Sequence, residues 1–214
     1  MSDVTVLQGL VSAPTGAAAT PGESAGVTLS RYKALRSAES QAFFQDAVER
    51  GRVFAVCNQA GVTSQAGLSA TTPVLTLANP SGSGVNLVLW YAGAVCIVSA
   101  ATAGAIFLAV GSNLTAAAVT GTLTTAHRNL KLGGGQPTVV PLLAATLPAA
   151  PVGVSILGAL LTGAITTITH QEPQARWFNG SIIVPPGANV SIQTGVASGA
   201  SGLLCEFIWE EVPV

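Results

Sequence analysis

The chain has 214 residues and a formal net charge of −1, and its eight basic and nine acidic residues make only 8% of the composition. That balance argues against a protein that holds nucleic acid by neutralising phosphates. So few charges leave wide uncharged patches, which either limit solubility or meet other subunits; the second alternative is preferred, with further copies of the chain as the expected partner.

The length suits one domain with an arm, divided as an N-terminal arm over 1–36, a short helix over 37–52 and a β domain over 53–214. Residues 1–30 are mostly Ala, Gly, Thr and Pro, with a short apolar start at Val4-Thr5-Val6-Leu7. Such a segment buries little of itself and is expected to be an extended arm ordered by contact with a partner. Met1-Ser2-Asp3 has no basic region ahead of an apolar segment, so no secretory signal is expected, and assembly belongs in a reducing cytoplasm.

Charge then becomes dense, with ten of the 17 charged residues lying in the first 52 positions. Arg31, Lys33, Arg36, Arg50 and Arg52 are interleaved with Glu39, Asp46 and Glu49, and only Tyr32 is at hand to stack a base. A protein partner or intrasubunit salt links therefore fit better than nucleic acid. Val4, Val6, Leu7, Leu10, Arg31, Tyr32, Arg36, Arg50 and Arg52 are the candidate assembly contacts. Ser37 can cap a helix over about Ala38 to Arg50, where Phe43, Phe44, Ala47 and Val48 share one face and Gly51 supplies the stop.

From Val53 to Ala126 there is no Asp, Glu, Lys or Arg. Short runs rich in β-branched and aromatic residues fill that tract: Val53 to Cys57, Val74 to Leu77, Val85 to Tyr91, Ala94 to Val98, Ile106 to Val110 and Val119 to Thr124. Turn chemistry such as Asn79-Pro80-Ser81-Gly82-Ser83-Gly84 separates them. A membrane span over Val85 to Val110 is the competing reading. Asn86, Ser99, Thr102 and the small residues around Gly93 and Gly104 speak against it, as do flanks without Lys or Arg.

Leu132 to Pro151 holds three glycines and four prolines, a density of breakers that suggests an extended connection or insertion. Val152 to Thr169 reads as one or two strands or a buried helix, with Ile165-Thr166-Thr167-Ile168-Thr169 favouring strand for its second half. Ser181 to Val184, a Pro185-Pro186-Gly187-Ala188 turn and the alternating Asn189 to Thr194 make a hairpin signal. The last strand, Leu203 to Val212, puts Cys205, Phe207 and Trp209 on one face and Glu206, Ile208 and Glu210 on the other. Eight or so strands with long connections predict a mainly β fold, a two-sheet antiparallel sandwich of jelly-roll type.

Little in this chain looks like chemistry. Cys57, Cys96 and Cys205 are far apart without C-x-x-C spacing and read as buried reduced thiols on strands. His127 reads as a loop or strand-end residue, and His170 with Glu172 as a commonplace contact. The Gly82 and Gly133 loops lack the partners of dinucleotide and phosphate loops. No catalytic residue, metal or cofactor is expected.

At Gly51-Arg52-Val53-Phe54, Asn58-Gln59-Ala60-Gly61-Val62-Thr63, Asn79 to Leu89 and the closing Trp209-Glu210-Glu211-Val212-Pro213, the chain resembles virion structural proteins of tailed bacteriophages. The resemblance covers roughly Ala38 to the C-terminus and extends to head decoration or cement proteins. It implies a trimer bound to the outside of a phage head, with the major capsid protein as partner and an arm that locks neighbouring capsid subunits. Val85 stands where the pattern of such sequences has a Lys after the Ser-Gly turn. The alternative is a receptor- or carbohydrate-binding module on a tail or fibre, for which Trp90, Tyr91 and Trp177 near Asn179 are the candidate contacts.

Overall fold

The computed structural model describes residues 45–65, 67–97, 102–112, 118–160, 174–198 and 202–214. Val4, Val6, Leu7, Leu10, Arg31, Tyr32 and Arg36 lie outside them, as do residues 38–44 of the expected helix, the expected strand over 165–169, His170 and Glu172. The described part of the helix is α1 (Gln45–Glu49), where Gln45 Nε2 donates to Glu49 Oε1 at 2.9 Å across one turn. The chain divides between Arg50 and Gly51, close to the expected boundary at 52/53.

The unit from Gly51 onward contains eleven described strands: β1 (Val53–Cys57), β2 (Leu75–Ala78), β3 (Val85–Cys96), β4 (Gly104–Ser112), β5 (Thr120–Leu123), β6 (His127–Asn129), β7 (Val140–Thr146), β8 (Val152–Leu160), β9 (Gln174–Val184), β10 (Ala188–Thr194) and β11 (Leu203–Pro213). They form two antiparallel sheets, one in the order β6-β1-β11-β3-β9 and the other β5-β7-β2-β10-β4-β8. With β5, β6 and β7 set aside, the remaining eight strands pair first with last, second with seventh, third with sixth and fourth with fifth: β1 with β11, β2 with β10, β3 with β9 and β4 with β8. That nested pairing is the winding of a jelly roll. The three extra strands form an insertion between the fourth and fifth, with β6 added beside β1 and the β7–β5 pair beside β2.

The core lies between the sheets. Leu87, Leu89, Ala92, Phe207 and Trp209 come from the first sheet and Leu75, Leu77, Leu108, Val190 and Ile192 from the second, all fully shielded from water. Trp209 stacks on Phe54 with ring centroids 5.7 Å apart and planes at 28°. The expected faces of the last strand are therefore observed: Cys205, Phe207 and Trp209 point inward.

Several expectations are corrected. The runs ending at Tyr91 and beginning at Ala94 are one long strand, β3, carried past Trp90 by a bulge that appears in its ladders with both β9 and β11. The breaker-rich segment 132–151, expected as an extended connection or insertion, belongs to the insertion and holds a strand, β7, with Pro141 at its second position and Ala144 at φ 45°. Those two residues interrupt the alternation by which a strand is read from sequence.

The turn at Pro185–Ala188 forms as expected, with Ala188 N donating to the Pro185 carbonyl at 3.1 Å and Gly187 at φ 83°, but it does not close a hairpin. β9 belongs to the first sheet and β10 to the second, so the turn carries the chain across the sandwich. Nor does the polar face of β10 meet water. Asn189, Ser191 and Gln193 are as buried as Val190 and Ile192, on a strand hydrogen-bonded on both sides, to β2 and to β4.

Candidate functional site

Three buried asparagines tie the loops down before any surface is built. Asn58 donates from Nδ2 to the carbonyls of Ala60 (2.6 Å) and Leu203 (2.8 Å), and its Oδ1 accepts from Cys205 N. Asn79 Nδ2 donates to Val85 O (2.8 Å) and Val184 O (2.9 Å), bridging the two ends of the Asn-Pro-Ser-Gly turn to the end of β9. Asn129 Nδ2 donates to Gly51 O at 2.7 Å, while its Oδ1 accepts from Lys131 N. An amide side chain supplies donors and an acceptor at once, which suits loop ends whose carbonyls have no strand partner. Asn58 and Asn79 thus begin two of the sequence motifs quoted above, and both do structural work.

Of the described candidate assembly contacts, Arg52 is engaged within the subunit, its Nη2 lying 3.0 Å from Glu210 Oε1. Its backbone carbonyl accepts from Glu211 N, so the residue is part of the β1–β11 rung. Arg50 follows α1 and is exposed. The other seven candidates lie outside the described residues.

Two other surfaces are assembled instead. The first lies on the outer face of the β6-β1-β11-β3-β9 sheet. Register places Tyr91 opposite Trp177 on one side and Ile208 on the other, and Gly93 opposite both Ala175 and Glu206. The Tyr91 and Trp177 rings are 4.9 Å apart and tilted by 59°, and Trp177 keeps 52% of its surface exposed. Tyr91 Oη donates to Glu206 Oε1 at 2.8 Å. Burial, followed by that hydrogen bond and the Glu206 charge, pushes the Tyr91 phenol up to about 12. Gly93 makes room for the pair, because a Cβ there would stand 2.9 Å from Glu206 Oε1 and 3.1 Å from Tyr91 Oη.

The placement depends on irregular backbone. β3 carries Trp90 as an extra residue, and β9 advances from Ile182, opposite Leu89, to Trp177, opposite Tyr91, through a wide bulge containing Asn179 at φ 49° and Gly180 at φ 79°. Bulges re-aim side chains, and a left-handed Asn is among the few non-glycine residues that tolerate it. Of the carbohydrate contacts expected from sequence, Tyr91, Trp177 and exposed Asn179 are on or beside this face, whereas Trp90 is 5% exposed and belongs to the interior. Glu206 was missed. Its only sequence signal was an outward position on the last strand, and its meeting with Tyr91 depends on a pairing between positions 115 residues apart.

The second surface is the margin where β8 and β9, each the last strand of its sheet, run beside one another. Neither has a further strand on its outer side among the described residues. Val152 (67%), Ile156 (62%) and Ile183 (59%) are exposed there, and Val154 is half exposed. A groove of about 640 Å³ opens between the strands, lined by Val110, Val152, Val154, Ile183, Pro185 and Asn189 among others. β8 contains no charged residue and no proline. Across the gap, Arg176 Nη1 donates to Ser155 Oγ at 2.9 Å and its guanidinium lies 5.6 Å from the centre of the Phe178 ring.

His127 begins β6, with Nδ1 2.9 Å from the Thr124 carbonyl and Nε2 2.9 Å from Gln136 Oε1. Both ring nitrogens are thus occupied by local structure. Cys57, Cys96 and Cys205 are free thiols on strands, as expected, and burial raises the pKa of each, most strongly for Cys205. Among the described residues no group of three or more His, Cys, Asp or Glu could hold a metal ion, and no helix is long and apolar enough to cross a membrane. Compared with protein-family models, with curated proteins and with solved structures, the chain matches none.

Proposed function

We propose that the chain is a non-enzymatic virion structural protein: a jelly-roll protomer that associates with copies of itself, three in number, and decorates the outer surface of a phage head. The observation that carries the self-association is the β8–β9 margin. An edge strand offers a row of unpaired backbone N–H and C=O groups, and proteins ordinarily blunt such edges with Lys, Pro or inward charges. β8 runs for nine residues without Lys, Pro or any charge of its own and exposes Val152, Val154 and Ile156 beside Ile183; two bulges against β4 and the Gln174 amide on the Ala159 carbonyl protect its edge only in part. A second copy covers such an edge with backbone hydrogen bonds and apolar contacts together. The placement on a phage head rests on the sequence resemblance, and jelly-roll winding suits it, being a common architecture of capsid domains. In this reading the arm over 1–36 contacts the major capsid protein.

Sedimentation at micromolar concentration tests the association. A species of three protomers is expected, and a compact monomer of 21.3 kDa overturns the proposal. Val154→Lys with Ile156→Lys places charge on the margin and shifts the oligomer to monomer without unfolding it. Microscopy of the source particle, labelled for this protein, tests the location on the head.

A further inference from the structure

We propose that Asn179 is a site of spontaneous covalent modification: its side-chain amide is lost through a cyclic imide closed by the Gly180 backbone nitrogen, leaving Asp or isoaspartate in the β9 bulge. The chain has seven asparagines, and Asn179 is the one followed by Gly. The reaction needs the nitrogen of the next residue to reach the asparagine Cγ. A following glycine has no Cβ to obstruct that approach and a backbone free to rotate. In a folded chain the dipeptide says little by itself, because a strand ladder fixes the dihedrals and holds the amide. The structure lifts that restraint here. The β3–β9 register passes from Leu89 opposite Ile182 to Tyr91 opposite Trp177, so residues 178–181 have no ladder partner on β3, and β9 is the last strand of its sheet. Asn179 is exposed to water. It sits at φ 49° and Gly180 at φ 79°. A left-handed conformation disfavours a residue with a Cβ, so rotation out of it toward ring closure gives up little.

The other asparagines lack this combination. Asn79 precedes Pro80, whose nitrogen carries no hydrogen to lose. Asn58, Asn129 and Asn189 are buried, and Asn86 is in the β3–β11 ladder opposite Val212. Asn113 lies outside the described residues and precedes Leu114.

The chemistry needs only base and water. Gly180 N gives up its proton and bonds to Asn179 Cγ, the bond from Cγ to the side-chain nitrogen breaks, and that nitrogen takes a proton and leaves as ammonia. Water then opens the imide. Cleavage between Gly180 N and Cγ gives Asp, and cleavage between Gly180 N and the main-chain carbonyl carbon gives isoaspartate, whose main chain runs through Cβ and Cγ and is longer by a methylene. The bulge accommodates that length. Four residues of β9 already stand against Trp90 alone, so the ladders on either side keep their register. Asn179 is not among the residues lining the groove between β8 and β9, which keeps the site separate from the surface proposed for self-association.

The test ages the full-length native protein in mildly alkaline buffer made with heavy-oxygen water and follows each asparagine peptide by mass spectrometry. The Asn179 peptide is expected to convert about tenfold faster than any other, a modest difference in barrier, to carry the heavy oxygen and to contain both Asp and isoaspartate. The converted protein should elute later from an anion exchanger, because it has gained a negative charge, and should melt with the fresh protein. Asn179→Gly lacks the amide and tolerates positive φ, so it is expected to fold like the parent and to yield no acidic form over the same period. The proposal is overturned if Asn179 keeps its amide in the native protein and loses it only in urea, if another asparagine converts first, or if only Asp forms, which means direct hydrolysis without the ring. An acidic form that persists in Asn179→Gly overturns it equally, and a lower melting temperature after conversion overturns the accommodation of the product by the bulge.

Discussion

The carboxylate of Glu211 accepts the backbone N–H of Val139 at 2.8 Å through Oε1, and its other oxygen accepts Thr138 N at 3.0 Å. Glu211 is 7% exposed, so the last strand of the roll reaches with a buried charge to the start of β7 and anchors the inserted β5–β7 strands to the sandwich. Two backbone donors compensate the charge, and Trp209 Nε1 approaches the same oxygen at 3.5 Å. Glu211→Ala leaves two donors without their acceptor and is expected to cost about 2–4 kcal/mol. Glu211→Gln costs less, because one amide oxygen still serves one of them. Urea unfolding of the three proteins gives the order, and equal stability of all three would show that the anchor carries no weight.

Trp209→Ala is expected to cost about 3–5 kcal/mol as a large-to-small change in a packed core. Trp209 is fully buried and stacks on Phe54, so little of the lost contact can be recovered by relaxation. A variant that melts within a degree or two of the parent contradicts this.

Asn79→Asp removes the two N–H donors that hold Val85 O and Val184 O and turns a carboxylate oxygen toward one or both carbonyls. The expected loss is about 2–4 kcal/mol, larger than for Asn79→Ala at the same position, because like charges are then forced together in a buried site. Thermal melts of the two variants rank them.

Tyr91 is expected to ionise late, at about 12, where an ordinary phenol titrates near 10. The folded state then holds more protons than the unfolded chain between pH 10 and 12, so stability falls as pH rises through that window and is unaffected by this group below it. Glu206→Gln removes the charge but not the burial, which is the larger cause, and brings the titration down only part of the way. Ultraviolet absorbance titration follows both; a Tyr91 pKa that does not move in the variant is the contrary result.

The three thiols are expected to react slowly with a thiol reagent at about pH 8 in the native state, because burial keeps them protonated, and all three should react promptly after denaturation. Cys57, the least buried, leads, and Cys205 is last. Fast native labelling of Cys205 would mean that the sandwich opens.

Much of this protein is determined locally. The β-branched runs, the glycine and proline turns and the alternation of Cys205, Phe207 and Trp209 specify short strands and a sandwich, because side chains on a strand point to opposite faces every second residue and one face must be covered. What a strand pairs with is another matter. The Pro185–Ala188 turn has the residues of a hairpin, yet β9 found β3 and β10 found β2 and β4, since closing a two-sheet core buries more apolar surface than a lone two-stranded ribbon. β7 was hidden by Pro141 and Ala144, and the burial of both faces of β10 by an alternating sequence that reads as one face in and one face out. The Tyr91–Glu206 bond joins residues far apart in sequence and depends on bulges in two strands that no periodicity announces. Residue types choose the strands; the pairing register, set by the whole sandwich at once, decides which side chains meet.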